Sequence, residues 1–201
     1  MKMNLPNKLT ILRVIMVPFF VVFLLLTPQY PVLKWITFVL FVAASLTDLL
    51  DGKIARKYNL ITNFGKFMDP LADKLLVSAA LVCLTSLDFI PAWMTIVIIS
   101  REFIISGFRL IAAERGIVIA AGKLGKWKTA FTMVTLAMML VLVNPLGFGA
   151  QETATSVWTM HGIYGALWMV TEVLLWISVI LTVVSLIDYL VKNKDVMREE
   201  Q

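Results

Sequence analysis

The chain has 201 residues, of which 60% are hydrophobic and only 15% are charged, with a net charge of +5. This composition argues against a soluble globular domain, in which about 25% of residues are charged. The single cysteine, Cys83, cannot form an intrachain disulfide, and the single histidine, His161, excludes a histidine cluster for metal binding or base catalysis.

Long apolar runs recur along the whole chain and predict an all-α integral membrane protein, one domain of residues 1–201 with six transmembrane helices. The predicted spans are 9–27, 32–56, 70–88, 91–113, 127–147 and 161–191. The N-terminal stretch is predicted to lie partly at the cytoplasmic interface. The first span is not expected to be a cleaved signal peptide, because Pro28 follows it and no small-residue cleavage pattern does.

Basic residues fall almost entirely at one face of the predicted bundle. Both termini and the loops 57–69 and 114–126 contain lysine or arginine, whereas the loop 144–160 contains neither. The positive-inside rule therefore predicts a multi-pass protein of the cell membrane with both termini in the cytoplasm. The positive charge is explained by topology, and no nucleic-acid partner is expected.

The first span opens with three polar residues, Asn7, Thr10 and Arg13, at three-residue spacing. They share one face of a helix. Their spacing is also compatible with an amphipathic helix that lies on the membrane surface.

Four aspartates lie where the second span ends and the third begins. Asp48 and Asp51 are three residues apart, and Asp69 and Asp73 are four apart, so each pair shares a helical face. A short loop joins the two spans, which predicts that the four carboxylates meet near the cytoplasmic surface. Oxygen-rich clusters suit Mg²⁺ or Mn²⁺, and two such ions can clamp a phosphate.

Simpler explanations exist for two of these aspartates. Asp69 precedes a proline and could be a helix N-cap, and Asp51 could pair with Arg56 at the interface. Neither explanation applies to Asp48 or Asp73, each one turn deeper among apolar residues, where a charge is costly. We therefore predict a metal site.

Small residues follow the first aspartate pair. Gly52 costs up to about 1 kcal/mol relative to alanine inside a helix, which suggests close approach of a ligand or another backbone. Ala55, on the next turn, is also small. A nucleotide base or ribose could lie against this face, but small residues also mediate helix packing in membranes, and the spacing leaves both open.

These residues resemble the signature of the CDP-alcohol phosphotransferases. The matching pattern is Asp48-x-x-Asp51-Gly52-x-x-Ala55-Arg56, then eight residues, then Gly65-x-x-x-Asp69-x-x-x-Asp73. The six-span layout also fits that family, so the resemblance covers nearly the whole chain.

The resemblance implies a site for two divalent metals, Mg²⁺ or Mn²⁺, held by Asp48, Asp51, Asp69 and Asp73, with Asp73 as the general base. It also implies CDP-diacylglycerol contacts at Asn7, Thr10, Arg13, Gly52, Ala55, Arg56 and Gly65. It suggests a homodimer as well.

A second group of charged residues bears on the acceptor. Its basic members are Arg101, Arg109, Lys123, Lys126 and Lys128. Arg101, near the middle of an apolar run, needs a partner, which Glu102 or a phosphate could supply. Lys123 and Lys128 could each be explained by the positive-inside rule.

These two segments resemble the phosphatidylglycerophosphate synthase branch of the family, whose acceptor is sn-glycerol 3-phosphate. The implied acceptor contacts are Arg101, Arg109, Lys123 and Lys126. An anionic acceptor suits arginine and lysine.

Two alternatives stay open at this point. Another branch of the family would use inositol phosphate, serine or phosphatidylglycerol as acceptor. A divalent-cation or proton transporter is disfavoured, because no acidic path crosses the bilayer: Glu172 and Asp188 lie near opposite ends of the last span.

Overall fold

The computed structural model describes residues 5–57, 63–114, 119, 122–143 and 163–193. Side chains within these ranges are described except at 5, 6, 48–57, 63–70, 73, 114, 123, 163 and 164. The described residues form six α-helices: α1 Leu5–Leu26, α2 Leu33–Lys57, α3 Asn63–Ser86, α4 Ala92–Glu114, α5 Lys123–Leu142 and α6 Ile163–Lys192. The prediction of an all-helical chain is confirmed.

Two of these helices are long and apolar enough to cross a membrane, over Asn7–Leu26 in α1 and Gly165–Lys192 in α6. Shorter apolar stretches, Leu33–Thr47 and Lys74–Ser86, form parts of α2 and α3. The six-span topology stays a prediction.

Three helices, α1, α3 and α5, begin or end at least four residues away from the predicted positions. Helix α1 begins at Leu5 rather than at residue 9, because a proline suits the first turn of a helix. Helix α3 begins at Asn63, so Asp69 lies within the helix and its N-cap interpretation is wrong. Helix α5 runs from Lys123 to Leu142 and stops short of Pro145, as expected from the restricted backbone before a proline.

The bundle exposes many large apolar side chains and buries several polar ones beside its apolar core. On α1, Leu12, Ile15 and Phe19 are exposed, whereas Thr10 and Arg13 are buried. Large apolar side chains are also exposed on the other helices, including Val39, Val82, Ile96, Phe103, Val134, Val173 and Ile180. Apolar surface on this scale fits a lipid environment.

The helices pack in two connected groups. Helix α1 packs on α2 and α3, and α6 packs on α4 and α5, while α2 and α3 also contact α5. The larger core cluster includes Phe20, Leu81, Met94 and Leu136. A smaller cluster around Phe108 and Tyr189 joins α4 to α6.

Candidate active site

A cavity of about 360 Å³ lies among α1, α2, α3, α4 and α5. Its apolar lining residues are Ala44, Leu76, Val77, Leu81, Ile99 and Met133. Its polar lining comprises the charged residues Arg13, Lys74, Glu102 and Lys128 and the hydroxyl residues Ser45, Ser78, Thr129 and Thr132. A cavity of this size with few convergent polar groups is typical of a small-ligand site.

The four predicted metal ligands belong to two contacting helices beside this cavity. Asp48 and Asp51 lie within α2, and Asp69 and Asp73 lie within α3. Lys74, the residue after Asp73, lines the cavity. The four aspartate side chains lie outside the described residues, so the metal site stays a prediction. Among the described side chains there is no cluster of three or more potential metal ligands.

The predicted donor contacts on α1 face inward. Asn7, Thr10 and Arg13 are all buried, and Arg13 lines the cavity. The polar face of α1 is thus turned into the protein. Gly52, Ala55 and Arg56 lie within α2 and Gly65 within α3, but their surroundings lie outside the described residues.

A buried ion-pair cluster joins α4 to α5. Arg101 Nη1 donates to Glu102 Oε1 at 3.3 Å, and Arg101 Nη2 donates to Ser185 Oγ on α6 at 3.1 Å. The same carboxylate oxygen of Glu102 accepts from Lys128 Nζ. Glu102 is thus the partner of Arg101 that the sequence suggested.

The other predicted acceptor contacts lie apart from the described cavity. The guanidinium of Arg109 is exposed and lies 5.8 Å from the ring centroid of Tyr189. Lys126 is exposed, and the side chain of Lys123 lies outside the described residues. Neither Arg109, Lys126 nor Arg101 is among the described residues that line the cavity.

The cavity is lined instead by Lys128, Lys74 and Glu102. None of these three residues was predicted as a site residue from the sequence. Lys128 is only 1% exposed, which the positive-inside rule does not explain, because a charge placed for topology lies in water. A helix that begins at Lys123 places Lys128 more than one turn inside it. That position, and that of Lys74 beside Asp73, was the available signal.

Comparison with known proteins agrees with this arrangement. Residues 3–184 match the model of the CDP-alcohol phosphatidyltransferase family. The chain belongs to that family. It is 42% identical to the CDP-diacylglycerol–glycerol-3-phosphate 3-phosphatidyltransferase of Bacillus subtilis over 97% of both chains. Its identity to the Haemophilus influenzae protein of the same name is 41%, over 94% of this chain and 93% of that one.

A third relative carries a related name. The probable phosphatidylglycerophosphate synthase of Mycobacterium tuberculosis is 38% identical over 73% of this chain and 71% of its own length. CDP-alcohol phosphatidyltransferases are membrane-embedded and generally depend on divalent metal. The donor set fits that requirement, since four carboxylates on two contacting helices are the hard oxygen ligands that such ions prefer.

Proposed function

We propose that this protein transfers the phosphatidyl group of CDP-diacylglycerol to sn-glycerol 3-phosphate, forming phosphatidylglycerophosphate and releasing CMP. The main support is the complete aspartate signature on α2 and α3, beside a cavity lined by the cations Arg13, Lys74 and Lys128. Relatives at 42% and 41% identity bear the name of this enzyme.

The metal site is proposed from the donor chemistry. Two divalent ions, Mg²⁺ or Mn²⁺, would be held by Asp48, Asp51, Asp69 and Asp73. When bound, they neutralise charge on the donor pyrophosphate and on the departing CMP.

The reaction is proposed as an in-line displacement at the lipid-linked phosphorus. The carboxylate of Asp73 accepts the proton of the free primary hydroxyl of the acceptor. The hydroxyl oxygen forms a bond to that phosphorus, and the bond between the phosphorus and the oxygen bridging to CMP breaks. The donor pyrophosphate is already activated, so no further energy source is needed.

Donor binding is assigned to α1 and to the ends of α2 and α3. The guanidinium of Arg13, buried and on the cavity wall, suits the donor phosphates. Asn7 and Thr10 lie on the same inward face. The small residues Gly52, Ala55 and Gly65 are proposed to leave room for the cytidine, with Arg56 beside it.

Acceptor binding is assigned to the basic residues other than Arg13 and Arg56. Lys74 and Lys128 line the cavity and suit an anionic acceptor. Arg109 and Lys126 are exposed and, with Lys123, are proposed to attract the acceptor to the site. Arg101 is proposed to act through Glu102, to which it donates.

We also propose the membrane setting predicted above: one domain of residues 1–201, six spans, a cell-membrane location and cytoplasmic termini. The outward apolar side chains support it, as do exposed Trp35 and Trp93 near the ends of α2 and α4 predicted to be external. Exposed Trp127 lies near the predicted cytoplasmic end of α5. The homodimer rests on the family resemblance alone.

An acceptor panel tests the proposal. The detergent-purified protein is given CDP-diacylglycerol and Mg²⁺ with sn-glycerol 3-phosphate, inositol phosphate, serine or phosphatidylglycerol, and lipid products are identified by mass spectrometry. We expect phosphatidylglycerophosphate with the first acceptor only. Product with another acceptor alone would contradict the assigned acceptor and keep the family chemistry, whereas no product from folded protein would contradict both.

A further inference from the structure

Glu102 is a carboxylate on the wall of a cavity for which an anionic acceptor is proposed. It is the only acidic residue among the described residues that line this cavity. An unpaired carboxylate there would repel a phosphate. Its contacts resolve this conflict, because Glu102 accepts from both Lys128 and Arg101. Two positive groups and one negative group leave this cluster with a net positive charge.

The cluster is anchored to α6 on one side through Arg101. Arg101 Nη2 donates to Ser185 Oγ at 3.1 Å, and Ser185 donates to the Thr182 carbonyl at 3.1 Å. All three residues are buried. Gly125 allows this placement, because a Cβ at that position would lie 3.2 Å from Arg101 Nη2. The guanidinium is thus held between α5 and α6.

The cluster is connected to α6 a second time, through the backbone carbonyl of Lys128. The Lys128 carbonyl accepts from Thr132 Oγ1 at 2.9 Å, and Thr132 Oγ1 lies 2.5 Å from Ser178 Oγ. Thr182 Oγ1 donates to the Ser178 carbonyl at 2.6 Å, which closes a ring of contacts with Ser185. These contacts connect α4, α5 and α6 around the charged groups of Arg101 and Lys128, both of which Glu102 contacts.

The members of this ring belong to other helices than the proposed metal ligands. Glu102 belongs to α4 and Lys128 to α5, whereas the proposed metal ligands belong to α2 and α3 and Arg13 to α1. A change at Glu102 therefore acts first on helices that carry neither the proposed metal ligands nor the proposed donor contacts.

We propose that Glu102 is a positioning residue for the phosphate of the acceptor. Its carboxylate holds the Lys128 ammonium on the cavity wall and the Arg101 guanidinium behind it, so that the acceptor phosphate meets a preformed cationic surface. This inference rests on the proposed function and deepens it, since it names the group that tunes recognition of a phosphorylated acceptor.

Steady-state kinetics of Glu102→Gln test this role. Glu172→Gln is the matched control, because it removes a half-buried carboxylate of α6 that does not line the cavity. We expect Glu102→Gln to raise KM for sn-glycerol 3-phosphate about tenfold or more and to change KM for CDP-diacylglycerol less than about twofold. Glu102→Asp, which keeps the carboxylate, should recover part of the loss. Glu172→Gln should match the wild type.

A double variant separates positioning from folding. Glu102→Gln combined with Lys128→Met removes both charges of the pair, so it should regain thermal stability that the single variant loses, yet keep the high acceptor KM. If Glu102→Gln alone does not fold, Glu102→Asp carries the test, because its shorter side chain should raise the acceptor KM and leave the KM for CDP-diacylglycerol unchanged.

Three results would overturn the inference: an unchanged acceptor KM in folded Glu102→Gln, an equal rise in the KM of both substrates, or a normal acceptor KM in the double variant. Failure of the proposed function is seen separately, as wild-type enzyme that does not use sn-glycerol 3-phosphate.

Discussion

Asp73 is assigned two tasks, as a metal ligand and as the general base. Its position on α3 supports both, because Val77, one turn later on the same helical face, lines the cavity and the other signature aspartate of this helix lies one turn earlier. A base must reach the hydroxyl proton of a substrate bound in that cavity. Of the four aspartates, Asp73 is the one directly followed by a cavity-lining residue on α3.

Asp73→Asn is predicted to lower kcat about 100- to 10,000-fold, the usual contribution of a general base. Binding of CDP-diacylglycerol in the presence of Mg²⁺ should be largely kept, because three carboxylates remain. CMP release and calorimetric donor binding measure the two effects. Asp88→Asn is the control, because this exposed turn residue has a φ of 60°, which asparagine tolerates. Near-normal turnover of Asp73→Asn would show that another group is the base.

The sequence marks a residue as a candidate for the site where its charge has no structural explanation. Asp48 and Asp73 stood out because each lies among apolar residues. Lys128 did not, because lysines near a helix end are expected on the cytoplasmic side. Its burial against Glu102 depends on how α4 and α5 pack, which a linear pattern does not contain.

At the scale of the helix, the Arg101 side chain of α4 packs against one glycine of α5. Gly125 lies against Arg101, whereas Gly107, in the interior of α4, has no atom within 4 Å of a Cβ built on it among the described residues. We therefore expect replacement by alanine to lower stability at Gly125 and to raise it at Gly107.

Gly125→Ala is predicted to displace the Arg101 guanidinium by a few tenths of an ångström, lowering the melting temperature and raising the acceptor KM several-fold, since 3.2 Å is a tight contact for a methyl group. Gly107→Ala should leave KM unchanged and stabilise the protein by up to about 1 kcal/mol, because alanine restricts the unfolded chain and favours the helix. Thermal unfolding and acceptor kinetics of the two variants, measured side by side, check this. Equal behaviour of the two variants would contradict the packing of Arg101 on Gly125.

Helices were predictable where hydrophobicity alone defines them. Helix α6 was expected over 161–191 and runs from Ile163 to Lys192. The start of α3 was missed by seven residues, because an aspartate before Pro70 mimics a helix start and the preceding turns are polar. Tertiary contacts of α3 with α1 and α2 favour the longer helix.

At the scale of the whole molecule, polar groups are buried beside the apolar core and large apolar side chains are exposed. Buried residues include Arg13, Lys128, Thr171 and Ser178, while Phe19, Ile96 and Val173 are exposed. This pattern fits a helical bundle in lipid.

The proposed topology predicts labelling from opposite sides. In a Cys83→Ala background, Gln29→Cys in the exposed turn between α1 and α2 should react with a membrane-impermeant maleimide in intact cells. Gly122→Cys, exposed at the start of α5, should react only after the membrane is opened. The reverse pattern would place the termini and the basic loops outside.

The most direct test of the central claim is CMP release from CDP-diacylglycerol by the purified protein, with and without sn-glycerol 3-phosphate and with and without Mg²⁺. The proposed mechanism predicts release only when both are present, loss on chelation, recovery with Mg²⁺ or Mn²⁺, and none in Asp69→Ala that remains folded. Release that persists without divalent metal, or in Asp69→Ala, would contradict a transferase site built on the four aspartates.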